Sequence, residues 1–157
     1  MESNIQKEFK PPFCVYRPNN KNTGCAMQLK IAENKECLFL EATAKQIPGE
    51  KRFDWSKEHK IIMKLEPVDI GKIISVLSKR DKNITPSIFH KTEKGSTSLS
   101  LVEQDPAAGF GNGYFMTISK KLNDCSPIRI NINLDNGEAE ILLALLRGII
   151  PVLYRWI

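Results

Sequence analysis

The sequence has only two histidines, and His59 and His90 stand alone in their segments, without an HxxxH or HExxH arrangement. That removes the usual helical zinc-hydrolase signature. The four cysteines, Cys14, Cys25, Cys37 and Cys125, show no CxxC spacing, so a structural zinc site is not expected. Neither a P-loop nor a nucleophile elbow is present. Gly109, Gly111 and Gly113 superficially suggest a phosphate-binding loop, but such loops lead into a helix whose N-terminus holds the phosphate, and here a strand pattern follows. The segment reads as a hairpin turn. No enzyme, cofactor or metal is therefore expected. The opening MESNIQKEFKPPF has neither an apolar core nor an arginine-rich amphipathic pattern, so no targeting segment is read. Free thiols in a reducing compartment, cytoplasmic or nucleoid-like, are the expectation. No apolar run reaches the roughly 20 residues of a membrane span.

The 157 residues suffice for one domain with a sizeable core, and 41% apolar with 26% charged residues is ordinary for a globular chain. Net charge is +5. In residues 128–157 three basic side chains (Arg129, Arg147, Arg155) balance three acidic ones (Asp135, Glu138, Glu140), so the excess lies wholly in 1–127. Such an excess suits nucleic acid, an anionic surface, or nothing in particular.

Residues 128–157 organise the chain. Ile128, Ile130, Ile132 and Leu134 alternate with Arg129, Asn131 and Asn133, the pattern of a strand with one buried face. Asp135 can cap a helix and Glu138 completes a capping box. The helix that follows is apolar around most of its circumference from Ala139 to Leu153. Either it is a central core helix, or one side packs on its own sheet and the other on a second subunit. Leu143, Leu146 and Ile150 are the expected outward residues in the second case.

Upstream, residues 1–12 read as a flexible arm ending in Pro11-Pro12. Alternating strands then follow at 13–18, 25–32, 37–45 and 60–66, and a helix starts at Pro67, a position needing no backbone donor. Strand patterns recur at 87–92, 97–104, 113–121 and 128–134 before the final helix. Four strands and a helix, twice, is an internal duplication over about 13–81 and 86–157 within one domain of 13–157. The expected fold class is α+β, with two four-stranded antiparallel sheets each followed by a helix and each leaving one face open.

Period-2 counting assigns to the open faces Tyr16, Gln28, Lys30, Phe39, Lys60, Lys64, Phe89, Lys91, Arg129 and Asn131. Cations that track phosphates, mixed with aromatics on which bases stack, are what a single-strand binder needs. A merely solvated face would carry similar lysines, and both readings stand at this point.

Several short stretches point to a family. Phe53-Asp54-Trp55-Ser56, Val68-Asp69-Ile70-Gly71, Phe89-His90, residues 113–119 (GYFMTIS) and 150–156 (IPVLYRW) occur in order. From about Phe13 to Trp156 the chain resembles the Whirly family of single-stranded-DNA-binding proteins. The resemblance implies the duplicated fold, tetramers assembled through the helices, and single-stranded DNA as partner in replication, recombination, repair or transcription. Guide-RNA-binding proteins of kinetoplastid mitochondria share that architecture, which keeps RNA open. A scaffold that binds no nucleic acid is the reading from another class. Plant members carry a Lys-Gly-Lys-Ala-Ala-Leu motif on the second strand; residues 23–29 here, TGCAMQL, lack both lysines. The departure shifts the expected phosphate contacts to Arg17, Lys21 and Lys30.

Overall fold

The computed structural model describes residues 11–105, 107 and 112–157, the side chains of 85–87 excepted. Most of the arm, and Gly109 and Gly111 of the glycine-rich turn, lie outside the described residues. Strands β1 (Phe13–Arg17), β2 (Cys25–Ile31), β3 (Leu38–Thr43) and β4 (Lys60–Leu65) form an antiparallel meander in sequence order, followed by helix α1 (Pro67–Leu77). Strands β5 (Asn83–Thr92), β6 (Gly95–Glu103), β7 (Tyr114–Leu122) and β8 (Ile128–Leu134) repeat the plan, and α2 (Asn136–Leu153) closes it. The duplicated four-strands-and-helix architecture is the fold of the chain.

Local chemistry sets the element ends. Pro67 opens α1, and Glu66 and Asp69 form its reciprocal capping box. The helix stops at Leu77 because Ser78 caps it and Lys79 turns left-handed at φ +62°. At α2 the Glu138 N–H donates to Asp135 at 2.7 Å, and the Asp135 N–H donates to Glu138 at 3.0 Å. Gly113 is at φ +116°, and a Cβ there would lie 2.2 Å from the Leu134 carbonyl, so only glycine fits where β7 begins. β5 is longer than its sequence pattern because it starts before Pro86. An edge strand tolerates the lost donor, at the cost of a register irregularity between Ile84 and Ile88.

Alternation decides the core. Val15, Met27, Leu40, Ala42, Ile61, Met63 and Leu65 point inward from the first sheet; Ile88, Leu99, Leu101, Met116, Ile118, Ile130 and Ile132 do so from the second. Both helices join them in one apolar cluster. α1 follows the first sheet but serves chiefly the second. It packs mainly on β5, β6 and α2, burying Ile70, Ile73, Val76 and Leu77.

α2 is an ordinary amphipathic helix, not one buried all round. Its inward stripe is Ala139, Leu142, Leu143, Leu146 and Ile149, spaced three and four apart. Leu143 and Leu146, expected to face outward, are 8% and 2% exposed within the single chain, and Ile150 is half-buried. The outward apolar residues are Ile141 and Leu145, at 56% and 51%, with Ala144 and Gly148 beside them. The helix phase that sequence could not give turns the stripe by about one position. Between α2 and the first sheet lies a groove of about 1080 Å³ lined by Phe13, Leu29, Ile31, Leu145 and Ile149, among others.

Candidate functional site

Each sheet buries one face and leaves the other uncovered by helix. On the first sheet, register places Tyr16 and Gln28 on the outer face together with one cross-strand row, Lys30–Phe39–Lys64, and with Lys60. All six are residues that sequence assigned to that face. The same face carries Glu41, opposite Gln28. Its side chain is 9% exposed and lies 3.0 Å from both Lys30 Nζ and Lys60 Nζ. Gln28 Nε2 donates to it at 2.6 Å. Burial raises the Glu41 pKa, but hydrogen bonds from Lys30, Gln28 and Lys60 and the Lys30 charge outweigh it, leaving the carboxyl below its ordinary value. Lys64 lies 3.6 Å from Glu66. The first sheet is therefore a charge-compensated surface.

One end of this face is roofed. The loop 44–59 folds back over Ala26 and Thr43, both fully buried although register aims them outward. Gln46 pins it: its oxygen accepts from the Asn19 and Gly24 N–H groups, and its amide donates to the Asn19 and Glu50 carbonyls, all at 2.8–3.1 Å. The Thr43 hydroxyl donates to the Asp54 carbonyl at 2.9 Å. The result sets Phe53 against Tyr16, ring centroids 6.2 Å apart and near parallel. Tyr16 thus offers one ring face outward, not two.

Arg17 is not on this face. It follows Tyr16 in an extended strand and so points the other way, where its guanidinium pairs with Glu138 of α2 and donates to the Asn133 carbonyl of β8 at 3.1 Å. It ties the two halves of the chain together and faces away from the outer surface. Lys21 lies exposed in the turn between β1 and β2, off both sheets.

The outer face of the second sheet differs in kind. Register puts there Phe89 and Lys91 of β5, Ser96, Ser98 and Ser100 of β6, Phe115, Thr117, Ser119 and Lys121 of β7, and Arg129, Asn131 and Asn133 of β8. Phe89 is 56% exposed and Phe115 38%, and neither ring has an aromatic partner among the described residues. Lys91, Lys121 and Arg129 are exposed, and none has an acidic partner among the described residues. No carboxylate stands on this face among those residues. The Thr117 hydroxyl donates to Asn131 Oδ1 at 3.0 Å, which leaves the Asn131 amide hydrogens free to donate. Phe115 and Lys121 escaped the sequence reading although the signal was present: both alternate with the inward Tyr114, Met116 and Ile118.

His90, between Phe89 and Lys91, faces the helix side and lies 3.2 Å from Asp69 of α1. Among the described residues no cluster of three or more His, Cys, Asp or Glu could hold a metal. Among the described residues no helix is long and apolar enough to cross a membrane.

This is a double-sheet, helix-backed architecture with uncovered faces, and it has close counterparts among solved structures. WHY1 from Arabidopsis thaliana is similar to 94% of the chain over 87% of its own length, with TM-score 0.70 and 18% identity. MRP1/MRP2 of Trypanosoma brucei matches 92% of the chain over 86% of its own, with TM-score 0.68 and 14% identity. A guide-RNA-binding protein complex bound to a guide RNA matches 90% over 90%, with TM-score 0.66 and 11% identity. The fold of this chain is thus the one shared by Whirly proteins and the MRP1/MRP2 proteins. No protein-family model matches the sequence, and no curated protein does.

Proposed function

We propose that the chain binds single-stranded nucleic acid across its uncovered sheet faces, with little sequence preference and without catalysis. The observation that carries this reading is the outer face of the second sheet, where exposed Phe89 and Phe115 share with Lys91, Lys121 and Arg129 a surface that holds no carboxylate among the described residues. An exposed ring on a sheet adds at most about 0.2–1 kcal/mol through cross-strand contacts, whereas as a stacking surface it is worth about 1–3 kcal/mol per base. The plain solvated face explains lysines but not two exposed phenylalanines. Similarity in fold to a complex bound to guide RNA supports a nucleic-acid ligand. Single-stranded DNA is the first ligand on this reading, with a place in replication, recombination, repair or transcription, and RNA is the alternative.

The active form on this reading is a homo-oligomer, a tetramer by analogy with the family that the sequence resembles. Ile141 and Leu145 support it, because half-exposed large aliphatic residues flanked by Ala144 and Gly148 let a second helix approach closely. The test is fluorescence anisotropy with labelled oligo-dT, oligo-U and a duplex of equal length over a salt series. Tight, salt-sensitive binding of one or both single strands and weak binding of duplex is expected. Equal affinity for duplex would leave charge attraction only, and no binding at all would return the chain to the scaffold reading.

A further inference from the structure

The two outer faces carry similar numbers of cations but differ in whether those cations are available. On the first sheet a nearly buried carboxylate, Glu41, lies at contact distance from both Lys30 and Lys60 and also accepts from Gln28. A phosphate approaching either lysine must displace that carboxylate or share the cation with it, and it is repelled by it in either case. Counterion release counts only the cations that phosphate itself neutralises, so a lysine already paired adds little. On the second sheet the cations have no such partner among the described residues. Its aromatic rings are also more open: Phe39 is half-buried within the row of Lys30 and Lys64, whereas Phe89 and Phe115 are exposed.

We propose that Glu41 is a built-in counter-charge that withholds Lys30 and Lys60 from phosphate, so that a single strand is held first on the outer face of the second sheet, its bases on Phe89 and Phe115. The inference rests on the reading of the chain as a single-strand binder and says which sheet does the binding and which residue decides it. Register supports a defined path. Phe89 is level with Ser119 across β6, and Phe115 lies four residues from Ser119 along β7. The two rings are therefore two strands and four residues apart, about 16 Å on a diagonal. The ground between them is small hydroxyl side chains, Ser98, Ser100 and Thr117, over which a flat base can lie without a steric obstacle.

The test compares the unmodified protein with Glu41→Gln, which keeps the size of the side chain and removes its charge, in oligo-dT and oligo-U titrations over a salt series. Release of Lys30 and Lys60 is expected to tighten binding about threefold or more and to steepen the logarithmic salt slope by up to about 1.4, at about 0.7 per phosphate for single strands. A variant with the affinity and slope of its parent overturns the proposal while leaving the single-strand reading intact. Failure of the unmodified protein to bind either strand overturns that reading and this one with it. A second measurement needs no variant: photo-crosslinking of the unmodified protein to a 5-iodouracil strand, with peptide mapping. Adducts in the peptides of β5 and β7 are expected, and adducts confined to β2–β4 overturn the proposal whatever the variant does.

Discussion

Replacing Arg17 by Met separates two accounts of one cation. The departure from the plant motif makes Arg17 an expected phosphate contact; the structure places it as a tie between the first sheet and the start of α2. Methionine keeps most of the apolar stem and removes only the guanidinium. What is lost is a charge-assisted bond to Glu138, about 1.5–3 kcal/mol where well shielded, and a bond to the Asn133 carbonyl. The two side chains are 31% and 23% exposed, so solvent screening lowers the sum to about 1–2 kcal/mol. Glu138 is not stranded by the change, because it still caps α2 through the Asp135 N–H, where the helix dipole favours a carboxylate. At about 2–4 °C per kcal/mol for a chain of this size, the melting temperature should fall by about 2–8 °C. Affinity for oligo-dT and its salt slope should stay as in the parent. Thermal unfolding and a salt titration on the same preparation check both. An unchanged melting temperature with a slope reduced by about 0.7 would refute the structural assignment and restore the phosphate contact.

Two further outcomes follow from burial and charge. Leu145→Glu should give a folded protein of smaller assembly size by light scattering, whereas Leu143→Glu should fail to fold, since it places an unpaired charge at an 8% exposed site; a folded Leu143→Glu, or a Leu145→Glu of unchanged mass, would contradict the helix phase or the interface. Glu41 has a folded pKa below its ordinary value, so its contribution to stability is fully present above about pH 4.5 and is lost as pH falls through the lowered folded value. The unmodified protein should therefore melt higher than Glu41→Gln at neutral pH and converge with it in acid; a gap that stays constant down to strongly acidic pH would show that Glu41 stabilises without its charge.

What could be read in the chain was whatever depends on periodicity. Strand alternation such as Ile61, Met63, Leu65 against Lys60, Ile62, Lys64 names the buried face without knowledge of neighbours, and caps such as Asp135 with Glu138 act locally. Cross-strand partners did not emerge, because register is a relation between distant segments. Glu41 alternates visibly with Leu40 and Ala42, yet only pairing shows that it meets Gln28 and reaches Lys30 and Lys60. The fate of Arg17 likewise depends on α2, 121 residues away. The outward side of α2 was misjudged for a related reason: a helix with apolar residues nearly all round has no polar face to fix its rotation, and the packing of α1 against it supplies that.

The junction at Arg17 has a consequence for the sheet it touches. An open sheet ends in strands whose outward N–H and C=O groups invite any passing extended segment to add itself, the usual seed of polymerisation. The second sheet ends in β5 and β8. On β8 the outward carbonyls of Asn131 and Asn133 are already occupied, by the Cys25 thiol at 3.2 Å and by Arg17. On β5 the proline within the strand and the broken register spoil the template. The chain thus guards both rims of its most open surface: a broad sticky face can be offered to a ligand while one border is taken up by the chain's own first half and the other is a poor template for a further strand.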